Sequence, residues 1–551
     1  MTHFNCGCSA YRRCRQHPGG VSHRPSLVAA DTARHLLCAA LVAAVVFGLS
    51  ALLTAAPAAV DVALNRFLEA SSPADAAKAA DAITKAGADF DDVYAALKKG
   101  RQYKGNAPKG VITRSHFLNG MEFPYTLDVP LNYDPSRKYQ LRVQLHGGVG
   151  RPDAAPRGNG IGQLAGVEQI YLLPTAWSDA EWWTDAQLQN LRSLIDTVKR
   201  TYNIDENRIV LSGVSDGGTG TYYFSMRDTT PFAAFLPLNG AIAVLRNTSM
   251  RIDGELFMNN MKDKPFFIVN GGRDPLYPTS TVEPYIRQMQ RTGVTLQYLP
   301  QPDAVHNTAW WPDVKDTYEA FVREHPRKPL PDSLTWESDL RAATGRAHWL
   351  VIDDLAPQRK DAAPLPDVND VLGQGVPDFG VRVVGTTIRS VAAGSNADSF
   401  GLVPGDVVEK LGPRAVPSGL DVTDLLDLVA PGTPLTLTVK RGNDTVELKG
   451  TYSPVIAPSR TPFFTHVRPS GRVDLSREGN TITATTRRVG AFTLLLSPDQ
   501  FDLSRPVTVV ADGKTVFEGT IRKDPATLLK WAARDNDRTM LFAAELTVRL
   551  E

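Results

Sequence analysis

Three segments of this chain carry the residue types that acyl transfer requires. In RIVLSGVSDGG, Gly213, Ser215 and Gly217 take the GxSxG spacing where an apolar strand pattern gives way to a helix. A serine hydroxyl is a poor nucleophile at neutral pH, so it must stand on a tight turn within reach of a base. Glycines flank it because a larger side chain would crowd that turn. A glycine-rich turn that binds phosphate through backbone amides is the competing reading, disfavoured because no Walker lysine follows. The base and its orienting acid should come in the order Ser, Asp, His. Asp274 in NGGRDP and His306 in DAVHNT do so, each just past the C-terminal end of a strand pattern, the edge at which open α/β sheets hold their sites. A turn aspartate and a core histidine are the plain structural alternatives for these two positions. His116 and His146 precede the serine, His325 lies at a helix end and His348 in a hairpin pattern.

The oxyanion of a tetrahedral intermediate needs donors. LRVQLHGGVG ends in His146, Gly147 and Gly148, where glycine lets backbone amides approach a ligand closely, and the second donor should be the amide of Asp216, the residue after the nucleophile. The Asp216 carboxylate opposes negative charge there unless it turns away or is neutralised, and the sequence offers it no role. Trp182, Trp183, Trp310 and Trp311 are candidates for cleft walls, against the commoner reading as packing residues.

These residues must be positioned by an alternation of strands and helices. Short helices come first, with Ser72 and Pro73 as an N-cap and first-turn signal and Gly87 and Gly100 as stops. Strand patterns VITRSHFL, FPYTLDVP and YQLRVQLHGG follow, then strand QIYLLPTA, a helix from Glu181 to about Tyr202, strand RIVLSGVS and a helix from Gly217. Strands AAFLPLNG and KPFFIVNGG, helix TVEPYIRQMQRTG, strand TLQYLPQ and a helix from Trp310 to about Arg323 complete the series. That alternation predicts a mostly parallel sheet with helices on both faces. SLTWESDLRAATGRAHWLVIDDL reads as a two-stranded hairpin turning near Gly345 and extending this unit. APQRKDAAPLPDVNDV reads as a linker. The last hundred residues alternate as a β-sandwich-like region, with an Asp512-Gly513 hairpin turn and one helix over Pro525 to Asn536.

HGG, GVSDGG, NGGRDP and DAVHNTAWW, in this order, resemble the α/β-hydrolases of the esterase, polyhydroxybutyrate-depolymerase and prolyl-oligopeptidase-like group. The resemblance covers roughly residues 105 to 330. It implies Ser215 as nucleophile, His306 as base, Asp274 as its partner, an acyl-enzyme and no cofactor. Asp216 departs from the commoner neutral residue, so specificity does not carry over. A second resemblance, to bacterial PDZ domains, rests on FGVRVVG, SVAAGSNADSFGLVPGDVVEKL and LDVTDLLDLVAPGTPLTLTVKRGNDTVEL. It implies a groove between the strand at Gly380 to Val384 and a helix around Leu420 to Leu428. An extended peptide would add there as a strand, with Phe379, Gly380 and Val381 as contact residues; Asp378 would oppose a terminal carboxylate. The fold expected is therefore multidomain: an α/β-hydrolase, then a PDZ domain, then a C-terminal β-sandwich-like domain. The divisions are a basic leader (1–35), an apolar run (36–56), a helical lead-in (60–104), the hydrolase with its hairpin (105–356), a linker (357–370), the PDZ unit (371–452) and the β region (453–551).

Across 551 residues, 60 Lys plus Arg balance 59 Asp plus Glu, which leaves no basic field for nucleic acid. From Leu36 to Ala56 no residue is charged, long enough to span a bilayer core, with arginines before it and acidic residues just after; the N-terminus is expected inside and the body exported. Ala56, Pro57 and Ala58 make a small-residue cleavage site, so a signal peptide is the equal alternative to a membrane anchor. Cys6, Cys8, Cys14 and Cys38 all precede the end of this run, which excludes a cysteine nucleophile or disulfide framework in the body. The spacing of the first three makes no metal set. The sequence thus points to an exported serine hydrolase of carboxylic esters, with a peptidase and an inactive cell-envelope interaction protein as alternatives.

Overall fold

The structure, a computed structural model, describes residues 59–154, 168–246, 252, 256–341, 344–360, 376–416, 422–426, 429–457, 464, 466 and 468–550. A helical run ending at residue 69 is followed by two helices, α1 (Pro73–Lys85) and α2 (Phe90–Lys99). Ser72 caps α1 by accepting from the Asp75 amide, and Gly100 ends α2 at φ 76°. Then come β1 (Gly110–Leu118), β2 (Met121–Val129), β3 (Tyr139–Leu145), β4 (Ile170–Pro174), α3 (Asp185–Thr201), β5 (Ile204–Val214), α4 (Asp216–Arg227), β6 (Ala234–Leu238), α5 (Ile242–Leu245), β7 (Phe266–Gly271), α6 (Thr279–Arg291), β8 (Leu296–Gln301) and α7 (Trp311–Glu324).

The eight strands form one sheet in the order β1-β2-β4-β3-β5-β6-β7-β8, parallel from β4 to β8, with β1 and β2 antiparallel at one edge. This is the mostly parallel sheet expected from the alternation. Successive residues of a strand face opposite sides, and β7 uses both: Phe266 and Ile268 enter a core with α3, α4 and α6, while Phe267 and Val269 meet Trp311, Tyr318 and Phe321 of α7. A fully buried ion pair between Arg142 of β3 and Glu319 fastens α7 to the sheet, with the Arg142 guanidinium 4.7 Å from the Tyr318 ring centroid.

Beyond α7 the pairing departs from the expected hairpin. β9 (Ser333–Ser338) does not pair with β10 (Arg346–Ala347) or β11 (Leu350–Leu355). After β12 (Val376–Asp378), β13 (Val381–Val384), β14 (Thr387–Val391), α8 (Asn396–Ser399), β15 (Val407–Leu411), β16 (Arg414–Ala415), α9 (Val422–Leu426), β17 (Thr433–Arg441), β18 (Asp444–Tyr452) and β19 (Val455–Ala457), the chain returns as β20 (Gly471–Glu478), β21 (Thr481–Arg487), β22 (Val489–Leu496), β23 (Val507–Ala511), β24 (Lys514–Gly519), α10 (Pro525–Asp535) and β25 (Ala544–Arg549). β9 pairs with β20 at the edge of the sheet β24-β23-β21-β20-β9, and β11 pairs with β22 in the sheet β10-β11-β22-β25. Trp336, Trp349, Val473, Phe492 and Val509 share one apolar core between these sheets. The segment that reads as an extension of the α/β unit therefore belongs to the C-terminal sheets, because its buried tryptophans find their partners there.

The intervening segment forms its own sheet, β13-β14-β15-β17-β18, and its ends meet where β12 pairs with β19 (Val376↔Ala457). Helix α9 of this unit contacts α6, and Arg414 donates to Thr279 Oγ1 at 3.3 Å. At the other end of the chain, α1 and α2 pack on α10, with Lys523 paired to Asp91 at 2.9 Å. Among the described residues no helix is long and apolar enough to cross a membrane; the run 36–56, the three leading cysteines and most of the expected linker lie outside them.

Candidate active site

Ser215 sits between β5 and α4 at φ 58°, ψ −121°, a conformation that a side-chain-bearing residue holds only under constraint. The constraint is close packing of backbone. A Cβ at Gly213 would lie 2.1 Å from the Gly217 carbonyl oxygen, so no other residue fits there, and the Ser215 amide donates to the Leu238 carbonyl at 2.9 Å. Asp274 and His306 follow β7 and β8, and since β5, β7 and β8 are parallel, all three residues stand at one edge of the sheet. Their loops are joined by the Arg273 amide, which donates to the Ala304 carbonyl at 3.0 Å.

The three side chains are in line. His306 Nδ1 lies 2.6 Å from Asp274 Oδ2 and its Nε2 lies 2.8 Å from Ser215 Oγ. A carboxylate can only accept, so Nδ1 carries the proton and Nε2 is free to take one from the serine hydroxyl. Asp274 Oδ1 accepts from the amides of Leu276 and Tyr277 at 2.8 and 2.9 Å. Burial alone would raise the Asp274 carboxyl, but the hydrogen bonds from His306 and the two amides hold it below the ordinary carboxylate range, which keeps it ionised beside the imidazole. The Tyr277 ring stands edge-on to His306, centroids 5.6 Å apart, and burial followed by the charges of Asp216 and Asp274 pushes its hydroxyl up to about 12.

The HGG loop lies against Ser215: a Cβ at Gly147 would come within 2.9 Å of Ser215 Cβ. Asp216 is the first residue of α4, and the leading amides of a helix have no acceptor within it, so its N–H is available as the second donor. His146, itself a candidate base, is spoken for. Its Nε2 accepts from the Ala176 amide at 3.1 Å, which puts the proton on Nδ1 to donate to the Gly147 carbonyl at 2.9 Å, and its own carbonyl accepts from Trp182 Nε1 at 2.8 Å. The other described histidines lie elsewhere: His116 meets Asn190 and Ser193, His325 caps onto the Phe321 carbonyl, His348 meets Lys264 and Pro329, and His466 meets the Leu256 carbonyl. Trp182, Trp183 and Trp311 are buried and pack in the cores, while Trp310, also buried, lines a cavity with Gln301, Val305 and Asn307 of the His306 loop.

Two contributors escape the sequence pattern. Tyr277 follows the acid by three residues with no motif to mark it. Asn239, at φ 49° after β6, donates to the Asn307 carbonyl at 2.9 Å and so ties the His306 loop to the next strand end; the NG dipeptide at 239–240 is its only signal. Among the described residues no group of His, Cys, Asp and Glu could hold a metal ion.

The residues expected to contact a peptide are placed differently. Phe379 is buried against Phe400 and Tyr452, its carbonyl accepting from the Ala397 amide at 2.9 Å. The Gly380 amide donates to the chain's own Asp378 Oδ1 at 2.8 Å. Val381 is half-buried in β13, which is an edge strand of its sheet.

No family model matches the chain. Over 154 residues it is 30% identical to the bifunctional acetylxylan esterase/xylanase XynS20E of Neocallimastix patriciarum, a match covering 26% of this chain and 21% of that protein. The chain thus spans about a fifth of the length of the curated relative it matches. Among solved structures it is similar to a thermostable esterase (23% identity, 39% of this chain and 63% of that one, TM-score 0.31). It is also similar to a ferulic acid esterase (18% identity, 40% and 99%, TM-score 0.32) and to Est1E from Butyrivibrio proteoclasticus (18% identity, 39% and 98%, TM-score 0.31).

Proposed function

We propose that this chain is an exported serine hydrolase that cleaves carboxylic esters. The observation that carries the reading is the line Ser215 Oγ, His306, Asp274, with separations of 2.8 and 2.6 Å, on a serine held at positive φ. In this reading Ser215 Oγ attacks the ester carbonyl while its proton passes to His306 Nε2. The oxyanion is held by the Asp216 amide and the Gly147–Gly148 loop. On collapse the C–O bond to the alcohol breaks and His306 returns the proton to the leaving oxygen. Water, deprotonated by His306, then attacks the acyl-enzyme and restores the serine. No step requires a cofactor. An ester is favoured over a peptide because the curated relative that matches over 154 residues is named as a bifunctional acetylxylan esterase/xylanase.

Ser215→Ala removes the acyl-enzyme route. It is expected to lower turnover of p-nitrophenyl esters by several orders of magnitude and to abolish covalent labelling by a fluorophosphonate, with the fold retained by circular dichroism. Labelling that persists in the variant would sink the nucleophile assignment, and faster release from aminoacyl-nitroanilides than from esters would favour the peptidase. Export rests on the uncharged run 36–56 with its arginine-rich approach. Protease added to spheroplasts should digest the body, and protection would place it inside. The β12–β19 unit is assigned the binding of extended peptide or polymer at the free edge of β13 next to α9.

A further inference from the structure

The carboxylate of Asp216, odd beside an oxyanion hole, has a partner. Its Oδ2 accepts from the Val149 amide at 2.9 Å. Val149 ends the HGGV run, so this bond ties the loop to the nucleophile's own helix one residue past Ser215. It also withdraws the Val149 N–H from service to the substrate. The bonds from Ala176 and Trp182 to His146 fix the loop to the scaffold below, the His146 bond to the Gly147 carbonyl braces the loop internally, and the Asp216 bond fixes it to α4. Since the oxyanion donors come one from the loop and one from α4, the distance between them is set through this contact.

The charge has a separate consequence. Among the described residues no cation lies within ion-pair distance of Asp216. Its charged surroundings are acidic: burial and then the Asp216 charge raise Glu181, with Trp183 opposing. Arg151, whose Nε lies 3.9 Å from where a Gly148 Cβ would be, makes no ion pair with Asp216. A carboxylate one residue from the nucleophile, with no cation paired to it among the described residues, repels negative charge carried by the acyl group.

We propose that Asp216 is a positioning and specificity residue: its carboxylate locks the oxyanion loop to the nucleophile helix, and its charge turns the site against esters of anionic acyl groups. The proposal rests on the reading of Ser215 as nucleophile.

The test uses the full chain and three p-nitrophenyl esters: the acetate, the anionic hemisuccinate and the cationic 4-(trimethylammonio)butyrate. Asp216→Ala removes tether and charge, and kcat on the acetate should fall about 10- to 100-fold with KM changed less than about threefold, the split of a contact made in the transition state. Asp216→Asn keeps an acceptor for Val149 and should rescue most of that loss on the acetate. It should also raise the hemisuccinate-to-acetate ratio of kcat/KM about tenfold and lower the corresponding ratio for the cationic ester. Wild-type kcat in the Ala variant, or an Asn variant as slow as Ala, overturns the lock; an unchanged charge ratio in the Asn variant overturns the discrimination. Should Asp216→Ala not fold, Asp216→Ser, which retains a helix-start residue but cannot reach Val149, takes its place under the same criteria. Fluorophosphonate labelling of Ser215→Ala separates the two readings: persistent labelling removes the nucleophile itself, whereas lost labelling with an indifferent Asp216 removes only this proposal.

Discussion

At the scale of single residues, Asp274 is held by three donors at once, His306 and the amides of Leu276 and Tyr277, and it is this crowding that fixes the imidazole's tautomer and direction. Asp274→Asn puts an amide where Nδ1 needs an acceptor, and kcat on small esters is expected to fall about 10³-fold or more while the thermal midpoint moves little; a fall under tenfold in steady-state assays would show that another group orients the base. The two other aspartates near the loop are unsuited: Asp303 is exposed and paired with Arg273 at 3.0 Å, and Asp313 stands in the first turn of α7. The triad was readable because its chemistry restricts residue type and chain order, and because glycine at 213 is forced by a 2.1 Å approach. Tyr277 and Asn239 were not, since a ring edge and a side-chain amide that bridge two loops leave no periodic trace. Asp216 lay in between, visible in type but without a partner until the loop closed on it.

At the scale of elements, local pattern located the strands and helices of the α/β sheet well, since apolar period and caps are written into each segment. It failed where a strand's partner is distant. β9 and β11 alternate as any hairpin would, yet β9 pairs with residues 471–476. What fastens this returning segment to the α/β unit includes Lys264, just before β7, which donates to the Phe232 carbonyl at 2.8 Å and lies 3.0 Å from His348 Nε2 in the β10–β11 turn. The Pro329 carbonyl takes the His348 Nδ1 proton, so Nε2 accepts from the lysine. Burial, then Arg327, pushes Lys264 down to about 7, against about 10.4 in an unfolded chain. Between those values the unfolded state binds more protons, so stability rises with pH from about 7 toward 10, declines over the same window as pH falls, and levels off below about 7. Lys264→Met removes that slope. Between pH 7 and 9 the wild-type thermal midpoint should gain roughly a few degrees on the variant, by scanning calorimetry of both proteins. Parallel curves would mean that the amine stays charged.

At the scale of the whole molecule, the segment 376–457 is an insertion whose two ends are stitched together by the β12–β19 pair. Excising 376–457 and bridging the gap with a short Gly/Ser linker should leave kcat/KM for p-nitrophenyl acetate within about threefold, because no member of the Ser215–His306–Asp274 line comes from it, while hydrolysis of polymeric esters should slow. A large loss on the small ester in a folded deletion would show that α6, which α9 and Arg414 touch, needs that support to hold the Asp274 loop. The same insertion sets a timetable for synthesis. When β9 and β11 leave the ribosome with Leu334, Trp336 and Ile352 meant for a core, their partners β20 and β22 are still more than a hundred residues from being made. At 5–20 residues per second this leaves apolar strand edges unpaired for on the order of ten seconds. A nascent chain in that interval is a natural client for a holding chaperone, and slow codons between 360 and 470 would lengthen the exposure.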